Sequence, residues 1–307
     1  MKIKVIINPK SKKGNARYIK MMLIEKFAHF LVDMEQTSHP QHATEIARQS
    51  LFEKFDTIIA VGGDGTVNEV LNGIAGTNVA LGIIPAGTAN DLASFYHIPA
   101  NICKACEVIQ ARHLQSVDVI SVNGKKYITS GGIGLPSEVI SVTNLLKHYG
   151  AIGKLLKQVL GSKLYILAIL CNLVKKIRRR NLLKIRSNGY SLMADSLSLM
   201  VSNQPFLGKY LQMSPEAVNN DGRFDICLID NLKRRIEILK ILIKLIEGKH
   251  IYSNSVKTWS SEELLVSTEI PMKFFGDGEF LENASEFRVK IFPRALNLIV
   301  PRKISGR

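Results

Sequence analysis

Residues Gly62-Gly63-Asp64-Gly65-Thr66 follow an apolar run and precede a helical pattern, and this order of residue types suits phosphate binding. Glycines let the backbone approach an anion closely and direct its N–H groups at it, and the following helix N-terminus adds a partial positive charge. The Thr66 hydroxyl can donate a further hydrogen bond. Asp64 would repel phosphate unless a Mg²⁺ ion lies between them. A plain tight turn is the alternative for a glycine loop taken alone.

Strand–turn–helix units must position this loop. The apolar runs IKVIIN, FDTIIAVG and VALGIIP each end in a turn-forming segment, and a helical pattern follows each turn. Such units in series predict a parallel sheet with helices on its faces, where ligands bind at the carboxyl ends of the strands.

The pattern changes near residue 120. The segment VDVISVNGKKYITSGG predicts a β-hairpin with Asn123-Gly124 as its turn, and further β signals follow at SLSLMVSN, GRFDICLID, ELLVSTE, MKFFGDGEF and FRVKIF. Helical segments interrupt them at about 144–180 and at RRIEILKILIKLIEGKH, whose apolar spacing predicts packing against a sheet. We therefore predict domains at residues 1–120 and 121–294, the second mostly antiparallel, with a tail at 295–307 that returns to the first.

Three motifs occur in a fixed order along the chain. The strand-ending Asn8-Pro9-Lys10-Ser11 comes first, GGDGTVNEVLNG covers Gly62–Gly73, and GTANDLA covers Gly87–Ala93. This set resembles the diacylglycerol kinase catalytic family, and in particular its soluble bacterial lipid kinases, over nearly the full chain. GGDGT alone is shared with NAD kinases, whereas GTANDLA and the full GGDGTVNEVLNG motif are typical of the lipid kinases. The resemblance implies an α/β kinase domain with a parallel sheet, a β-rich domain for the lipid acceptor, and ATP and Mg²⁺ as cofactors.

The family's nucleotide contacts map onto four segments of this sequence. They comprise Asn8, Pro9, Lys10, Ser11, Lys12, Thr37, Gly62, Gly63, Asp64, Gly65, Thr66, Val67, Asn68 and Thr88. The family loop usually has a glycine where this chain has Lys12, whose charge could still neutralise phosphate. Asp64, Asp91 and Asp118 match acidic residues linked to the Mg²⁺–ATP network. Asp91 could instead cap a helix beginning at Leu92, and Asp118 could be an ordinary residue of a β-strand.

Gly276-Asp277-Gly278-Glu279 matches the family's DGE motif. A lipid hydroxyl is a poor nucleophile at neutral pH, and a carboxylate within hydrogen-bond reach can take its proton during phosphoryl transfer. In an extended strand Asp277 and Glu279 would point to the same side, so one could act as base while the other orients it. The sequence does not rank them, and Asp64, Asp277 and Glu279 form the predicted catalytic set. A turn in a hairpin explains Asp277 and Gly278 but not Glu279.

Asn220-Asp221-Gly222-Arg223-Phe224 resembles a structural Mg²⁺ loop of several bacterial members. There the ligands are one aspartate side chain and two backbone carbonyls, which correspond to Asp221, Val218 and Arg223. The family often has a second aspartate where this chain has Asn220. A simple β-turn is the alternative.

The sequence contains 41 Lys and Arg residues and 26 Asp and Glu residues, which gives a net charge of +15. This excess of positive charge favours anionic partners. No acidic residue occurs from Val139 to Ala194, where a basic cluster lies beside the apolar run LYILAILCNLV. This cluster comprises Lys175, Lys176, Arg178, Arg179, Arg180, Lys184 and Arg186. Basic charge beside aliphatic residues predicts contact with an anionic membrane, whereas sparse aromatic residues argue against nucleic acid. A buried helix with a solvated basic end is the alternative.

The location of the protein is predicted from what the sequence lacks. Four cysteines in 307 residues make no disulfide framework, so a reducing compartment fits, and the CxxC pair Cys103 and Cys106 is interpreted as two half-buried thiols on a helix. We see neither a signal peptide nor an apolar run long enough to span a bilayer. The prediction is a cytoplasmic enzyme in peripheral contact with membrane, with a homodimer as a candidate assembly.

The leading function is ATP-dependent phosphorylation of a hydroxyl on diacylglycerol or a related membrane lipid. Two alternatives stay open at the level of sequence. One is a small-molecule kinase of the NAD kinase type, and the other is a lipid-binding protein that keeps the fold without turnover.

Overall fold

The structure is a computed structural model that describes residues 2–11, 16–134, 181–208, 211–232 and 234–302. The chain forms two compact units. Unit 1 comprises residues 1–119 and 292–307, and unit 2 comprises residues 120–291.

Unit 1 alternates strands with helices. Its strands are β1 (Lys2–Ile7), β2 (Leu31–Gln36), β3 (Thr57–Gly62) and β4 (Ala80–Pro85), and its helices are α1 (Ala16–Lys26), α2 (His42–Phe52), α3 (Asp64–Ile74), α4 (Asp91–Phe95) and α5 (Ile102–Ala111). Every residue of β3 and β4 is buried, as expected for strands covered on both faces.

The strands of unit 1 pair in parallel. β1 lies between β2 and β3, and β4 lies on the other side of β3. The end of the long strand β15 (Glu279–Ile299) joins β4, with Asn297 opposite Ala80. Because the strands run in one direction, their carboxyl ends at Ile7, Gln36, Gly62 and Pro85 share one edge of the sheet.

Helix α5 carries the CxxC pair. Cys106 is fully buried with Ala105 and Ile109 in the core of unit 1, whereas Cys103 is partly exposed. Burial raises the pKa of the Cys106 thiol to about 11, so this group stays protonated at neutral pH. The placement of both thiols on a helix is confirmed, whereas the half-buried state that the sequence suggested holds for Cys103 and not for Cys106.

Unit 2 is mainly β-structure, as predicted. Its strands are β5 (Leu114–Val122), which begins in unit 1, β6 (Lys125–Tyr127), β7 (Ser130–Gly134), β8 (Leu182–Ser187), β9 (Tyr190–Ser202), β10 (Phe206–Leu207), β11 (Leu211–Gln212), β12 (Phe224–Asp230), β13 (Val256–Ser261), β14 (Glu263–Gly276) and most of β15. Neighbouring strands such as β9 and β12, or β14 and β15, pair antiparallel. The predicted hairpin turn is confirmed, since Asn123 and Gly124 have φ values of 48° and 88°.

Strands β14 and β15 are longer than the sequence predicts. The segments ELLVSTE and MKFFG form one strand, although Pro271 lies between them. Proline cannot donate to a ladder, and the pairing of β14 with β15 shifts register between Ser267 and Met272, which accommodates it. Likewise β15 continues through Pro293, beside Arg294 with a φ of 51°.

One helix, α6 (Arg235–Glu247), packs on the sheet of unit 2 and is followed by a 3₁₀ helix at His250–Tyr252. Ile238, Ile241, Leu242 and Leu245 are buried against sheet residues that include Cys227 and Phe275. The predicted packing is confirmed for this face. Other aliphatic residues of α6 remain exposed.

Several predictions fall beyond the described residues. These are Lys12, the helical segment at 144–180 and most of the basic cluster, of which Lys184 and Arg186 lie exposed on β8. Among the described residues, no helix combines the length and the apolar character needed to cross a bilayer.

Candidate active site

The nucleotide-binding segments predicted in unit 1 meet at the carboxyl edge of its strands. Backbone hydrogen bonds hold them to the sheet: Asn8 N–H donates to the Val61 carbonyl, Thr37 N–H to the Ile7 carbonyl and Ala86 N–H to the Gly62 carbonyl. The donor–acceptor distances lie between 2.8 and 3.0 Å. The order of parallel strands thus gathers loops that are distant in sequence.

The GGDGT loop runs directly into α3. Gly63 is the N-cap in extended conformation, and it supplies no side chain to bond the first amides of the helix. A helix start of this kind offers its N–H groups and positive dipole end to an anion. The Val67 side chain is buried, and its backbone N–H donates to the Gly63 carbonyl at 3.1 Å.

The two glycine loops touch each other. A methyl group on Gly87 would lie only 2.4 Å from the Cα atom of Gly63, and one on Gly62 would lie 2.4 Å from the Thr66 hydroxyl oxygen. No side chain fits at distances this short, so glycine is required at both positions. The close approach places the backbones after β3 and β4 side by side.

Asp64 ties the first loop to the second. Its Oδ2 accepts from Asn90 N–H at 2.8 Å and its Oδ1 from Asp91 N–H at 2.7 Å. Helix α4 begins at Asp91 with Asn90 as N-cap, and the Asn90 side chain makes no cap bond. The Asp64 carboxylate therefore caps α4 from the neighbouring loop. The alternative of Asp91 as a cap before Leu92 is wrong, because Asp91 lies inside the helix.

Asn8 links the N-terminal loop to the same site. Its Nδ2 donates to the Thr66 hydroxyl oxygen at 3.0 Å, and its Oδ1 accepts from Lys10 N–H at 2.9 Å. Thr66 is buried, and its hydroxyl group accepts from Asn8, so its own proton can be donated to a ligand. Pro9 and Lys10 are exposed, and Ser11 is half-buried beside them.

The loop after β2, which carries Thr37, is held by side chains. Ser38 N–H donates to the Nδ1 atom of His42 at 3.0 Å. Glu69 of α3 accepts from Ala43 N–H at 3.1 Å, and its carbonyl accepts from the Thr44 hydroxyl. The Glu69 carboxylate thus caps α2, because the N-cap residue Gln41 makes no side-chain bond.

Thr88 and Asp118 have contrasting surroundings. Thr88 is exposed at the tip of the second glycine loop. Asp118 is fully buried in unit 1, and its Oδ1 accepts from Arg294 N–H at 2.7 Å. Burial and the nearby Asp118 carboxylate raise the pKa of Tyr96. The hydrogen bond between Asp118 and Arg294 holds the segment that follows residue 291. A role for Asp118 in nucleotide binding stays a prediction.

In unit 2, Asp277 lies in the turn between β14 and β15. Asp277 and Gly278 have φ values of 52° and 75°, typical of a tight hairpin turn. The expectation that Asp277 and Glu279 point to the same side of one extended strand is therefore wrong, because a turn separates the two residues. The alternative interpretation of Asp277-Gly278 as a hairpin turn is confirmed.

The Asp277 carboxylate is surrounded by donors. Its Oδ1 accepts from Ile128 N–H at 3.1 Å, from Thr129 N–H at 2.8 Å and from the Thr129 hydroxyl at 2.7 Å. Its own N–H donates to the Ser130 carbonyl at 3.1 Å. These bonds fix the turn against the segment between β6 and β7. Burial and the charge of Asp277 raise the pKa of Tyr127, which packs beneath the turn.

Glu279 begins β15 opposite Gly276 and is half-buried. A methyl group on Gly276 would lie 2.7 Å from the Tyr127 ring, so this glycine seats the strand against the ring. The anchored turn therefore sets where the Glu279 backbone begins. A carboxylate at a fixed strand start is suited to accept a proton from a bound hydroxyl.

The Asp221 loop carries concentrated negative charge. Asp221 Oδ1 accepts from Arg223 N–H at 3.0 Å, and Gly222 has a φ of 79°. Burial, Asp221 and Glu216 together raise the pKa of Asp225 to about 6. Carboxylate and carbonyl oxygens at a loop of such charge fit a hard cation such as Mg²⁺.

Sequence reasoning missed three positioning residues. Asn90 holds the second loop closed, since its Oδ1 accepts from Gly87 N–H at 2.9 Å and its Nδ2 donates to the Gly87 carbonyl at 3.1 Å. Asn90 has a φ of 51°, a left-handed conformation that asparagine tolerates better than most residues. An asparagine directly after a glycine loop was therefore a usable signal in the sequence. Glu69 and Thr129 carry no signal of this kind in the sequence.

The chain matches two family models. Residues 2–122 match the diacylglycerol kinase catalytic domain, and residues 156–300 match the YegS C-terminal NAD kinase beta sandwich-like domain. Among curated relatives, the diacylglycerol kinase of Bacillus subtilis is 27% identical over 90% of this chain and 89% of its own. The diacylglycerol kinase of Staphylococcus saprophyticus is also 27% identical, over 90% of this chain and 88% of its own.

Solved structures show the same relationship. A crystal structure of a diacylglycerol kinase from Bacillus anthracis superposes with a TM-score of 0.77 at 25% sequence identity. The superposition covers 99% of this chain and 98% of that chain.

Proposed function

The chain belongs to the diacylglycerol kinase catalytic-domain family, and we propose that this lipid kinase transfers the γ-phosphate of ATP to a hydroxyl group of diacylglycerol or a related membrane lipid. The single observation that carries the proposal is the contact between the two glycine loops in unit 1. It leaves two backbones and one open helix start at a single edge, which is how proteins cradle a polyphosphate.

In this proposal, the phosphates lie along the Asn8–Ser11 and Gly62–Asn68 loops with Thr88, and Lys12 supplies charge to the same site. Thr37 contacts the nucleotide from the loop after β2. Asp64, Asp91 and Asp118 form the acidic side of the Mg²⁺–ATP network. Each oxygen of Asp64 accepts one backbone amide, and a carboxylate is the kind of group that binds Mg²⁺ directly or through a metal-bound water. Bound Mg²⁺ would neutralise charge that develops on the transferring phosphoryl group.

We assign the role of general base to Glu279 and a positioning role to Asp277. The lipid hydroxyl oxygen forms a bond to the γ-phosphorus while the bond from that phosphorus to the bridging oxygen breaks, and ADP leaves. The hydroxyl proton passes to the Glu279 carboxylate. Asp277 is less suited to take it, because three donors already occupy its Oδ1.

The Asp221 loop would hold a second, structural Mg²⁺ through the Asp221 side chain and the Val218 and Arg223 carbonyls. The negative charge around Asp225 supports this assignment. The enzyme would work in the cytoplasm in peripheral contact with anionic membrane, and the basic cluster that includes Lys184 and Arg186 would contribute to that contact.

The test is phosphate transfer from radiolabelled ATP to vesicles that contain diacylglycerol, with and without Mg²⁺. Labelled phosphatidic acid is the expected product, and Glu279→Gln should lower kcat by about 10²- to 10⁴-fold, the usual contribution of a general base. Parallel reactions with NAD as acceptor test the NAD kinase alternative. Failure to label any lipid under conditions where ATP binds would contradict the proposal.

A further inference from the structure

Helix α6 exposes a row of aliphatic side chains, Ile236, Leu239, Ile243 and Ile246, which we call the α6 stripe. Their exposed fractions are 54%, 39%, 51% and 41%. The spacings of three, four and three residues place all four on one side of the helix. The sequence predicts that this helix packs against a sheet, and the stripe is the part of its apolar surface that the core leaves uncovered.

A surface helix normally pairs one apolar face with one polar face. Helix α6 already buries Ile238, Ile241, Leu242 and Leu245 against the sheet. The stripe adds a second set of aliphatic residues beyond what packing within unit 2 uses. A contiguous exposed apolar patch of this kind marks a site of interaction.

The surroundings of the stripe are mainly basic. Lys240, Lys244 and Lys249 are exposed on or directly after the helix, and Arg234 precedes it. Of the two acidic residues on α6, Glu247 pairs with Lys249 at 3.1 Å and Glu237 accepts from the Arg234 backbone amide.

An aromatic residue follows the stripe. Tyr252 of the adjoining 3₁₀ helix is 79% exposed. Tyrosine suits the boundary between headgroups and acyl chains, because its ring is apolar and its hydroxyl is polar. Aliphatic residues, lysines at the edge and an exposed tyrosine together are typical of helices that lie in a membrane interface.

We infer that the α6 stripe is a docking surface for an anionic phospholipid bilayer. The inference rests on the proposed function, because a lipid kinase must reach an acceptor that lies in a bilayer. The helix lies parallel to the membrane plane, with the stripe at the boundary of headgroups and acyl chains. Lys240 and Lys244 contact lipid phosphates, and each basic residue near such a surface strengthens binding.

Charge favours a bilayer over a second copy of this chain. In a two-fold interface the same patch faces itself, so the lysines at the edge of the stripe would approach their own counterparts. The chain also carries a net charge of +15. An anionic bilayer instead supplies the opposite charge along the whole edge of the stripe.

The test is cosedimentation of the full chain with sucrose-loaded vesicles of equal parts phosphatidylglycerol and phosphatidylcholine. Replacing Leu239 and Ile243 by serine should lower the vesicle partition coefficient by about tenfold or more, because two aliphatic side chains no longer enter the interface. The matched control replaces Met21 and Ile24 of α1 by serine, two residues of unit 1 that are 63% and 59% exposed. The control should keep wild-type binding.

Thermal unfolding of each variant separates docking from folding. If the serine pair fails to fold, Ile243→Glu decides, since this exposed carboxylate would be repelled by anionic headgroups and should abolish binding. Unchanged vesicle binding of a folded stripe variant would overturn the inference. Equal loss in the α1 control would overturn it as well, and so would a wild-type dimer that the stripe variant dissociates without a change in vesicle binding.

Activity distinguishes this inference from the proposed function. With a short-chain diacylglycerol dispersed in detergent micelles, the stripe variants should keep kcat within about twofold of wild type, because the four stripe residues are surface residues of α6 and none of them is a proposed catalytic residue. If the wild type binds vesicles through the stripe but phosphorylates no lipid, the proposed function is contradicted and the inferred docking surface is supported.

Discussion

The two units carry aspartates that look alike in sequence and serve different local structures. Asp64, within GGDGT, accepts two backbone amides at the start of a short helix and joins two loops of unit 1. Asp277, within GDGE, accepts two backbone amides and a hydroxyl and fixes a left-handed turn of unit 2. Both carboxylates therefore position backbone.

The difference between the units lies in what each aspartate positions. In unit 1 the result is a pair of glycine loops in contact, which suits the binding of phosphate. In unit 2 the result is a fixed start for β15, which carries Glu279. We therefore expect changes in unit 1 to alter nucleotide affinity, and changes in the turn of unit 2 to alter turnover at unchanged nucleotide affinity.

Asp277→Ala should have the largest effect. It leaves the buried amides of Ile128 and Thr129 without their acceptor, which should cost about 2–4 kcal/mol of unfolding free energy. Denaturant unfolding measures this cost. Thr129→Val, which removes only the hydroxyl bond, should cost about 1 kcal/mol. A drop in ATP affinity of the folded Asp277→Ala protein would break the comparison.

Gly87→Ala should separate the two glycine loops, since its methyl group would lie 2.4 Å from the Gly63 Cα atom. We expect ATP affinity to fall by about 100-fold, measured by calorimetry or by KM. Gly76→Ala is the matched control, because no atom lies within 4 Å of its added methyl group. That control costs only the strain of its positive φ, about 1 kcal/mol of stability, and should leave ATP affinity unchanged.

Asp221→Ala tests the metal loop of unit 2. The wild type should gain thermal stability on addition of Mg²⁺, because a ligand that binds the folded state alone stabilises it. The variant should lose the part of that gain that depends on the loop, with ATP affinity unchanged. An Mg²⁺-dependent rise in Tm that is identical in both proteins would remove the loop from the list of metal sites.

Glu69→Ala removes the acceptor of the Ala43 amide at the start of α2 and should cost about 1 kcal/mol. Glu69→Gln keeps an oxygen in place and should recover most of that loss. Because α2 follows the loop that bears Thr37, the alanine variant should also raise KM for ATP several-fold. Unfolding curves and initial rates of both variants check this, and equal behaviour of Ala and Gln would exclude the capping role.

His250 gives the smallest expected effect. Burial lowers its pKa, while its Nε2 contacts the Met213 carbonyl. The unfolded chain therefore takes up a proton near pH 6.5 before the folded chain does, and the stability contributed by neutral His250 is lost as pH falls below that value. His250→Gln should flatten the fall in unfolding free energy between pH 6.5 and 5. A slope unchanged by the substitution would show that other groups control this range.

Much of the fold could be predicted because it follows from local pattern. The strand–turn–helix order of unit 1, the Asn123-Gly124 turn and the packed face of α6 each depend on residues close together in sequence. The length of β14 and β15 could not be predicted in this way. Prolines normally interrupt a ladder, and here a shift in the β14–β15 register between Ser267 and Met272 accommodates Pro271.

The sequence by itself indicated the family and a lipid kinase function through the resemblance of its ordered motifs, because a motif is a local property of the chain. Only the tertiary structure decided what each motif residue touches. Asp64 caps α4, Glu69 caps α2 and Asp277 anchors a turn. Each of these contacts joins segments that lie 26 to 149 residues apart in the chain. The exposed stripe on α6 was likewise decided by packing, because a helical pattern shows which residues are apolar, whereas burial of one side depends on the sheet beneath it.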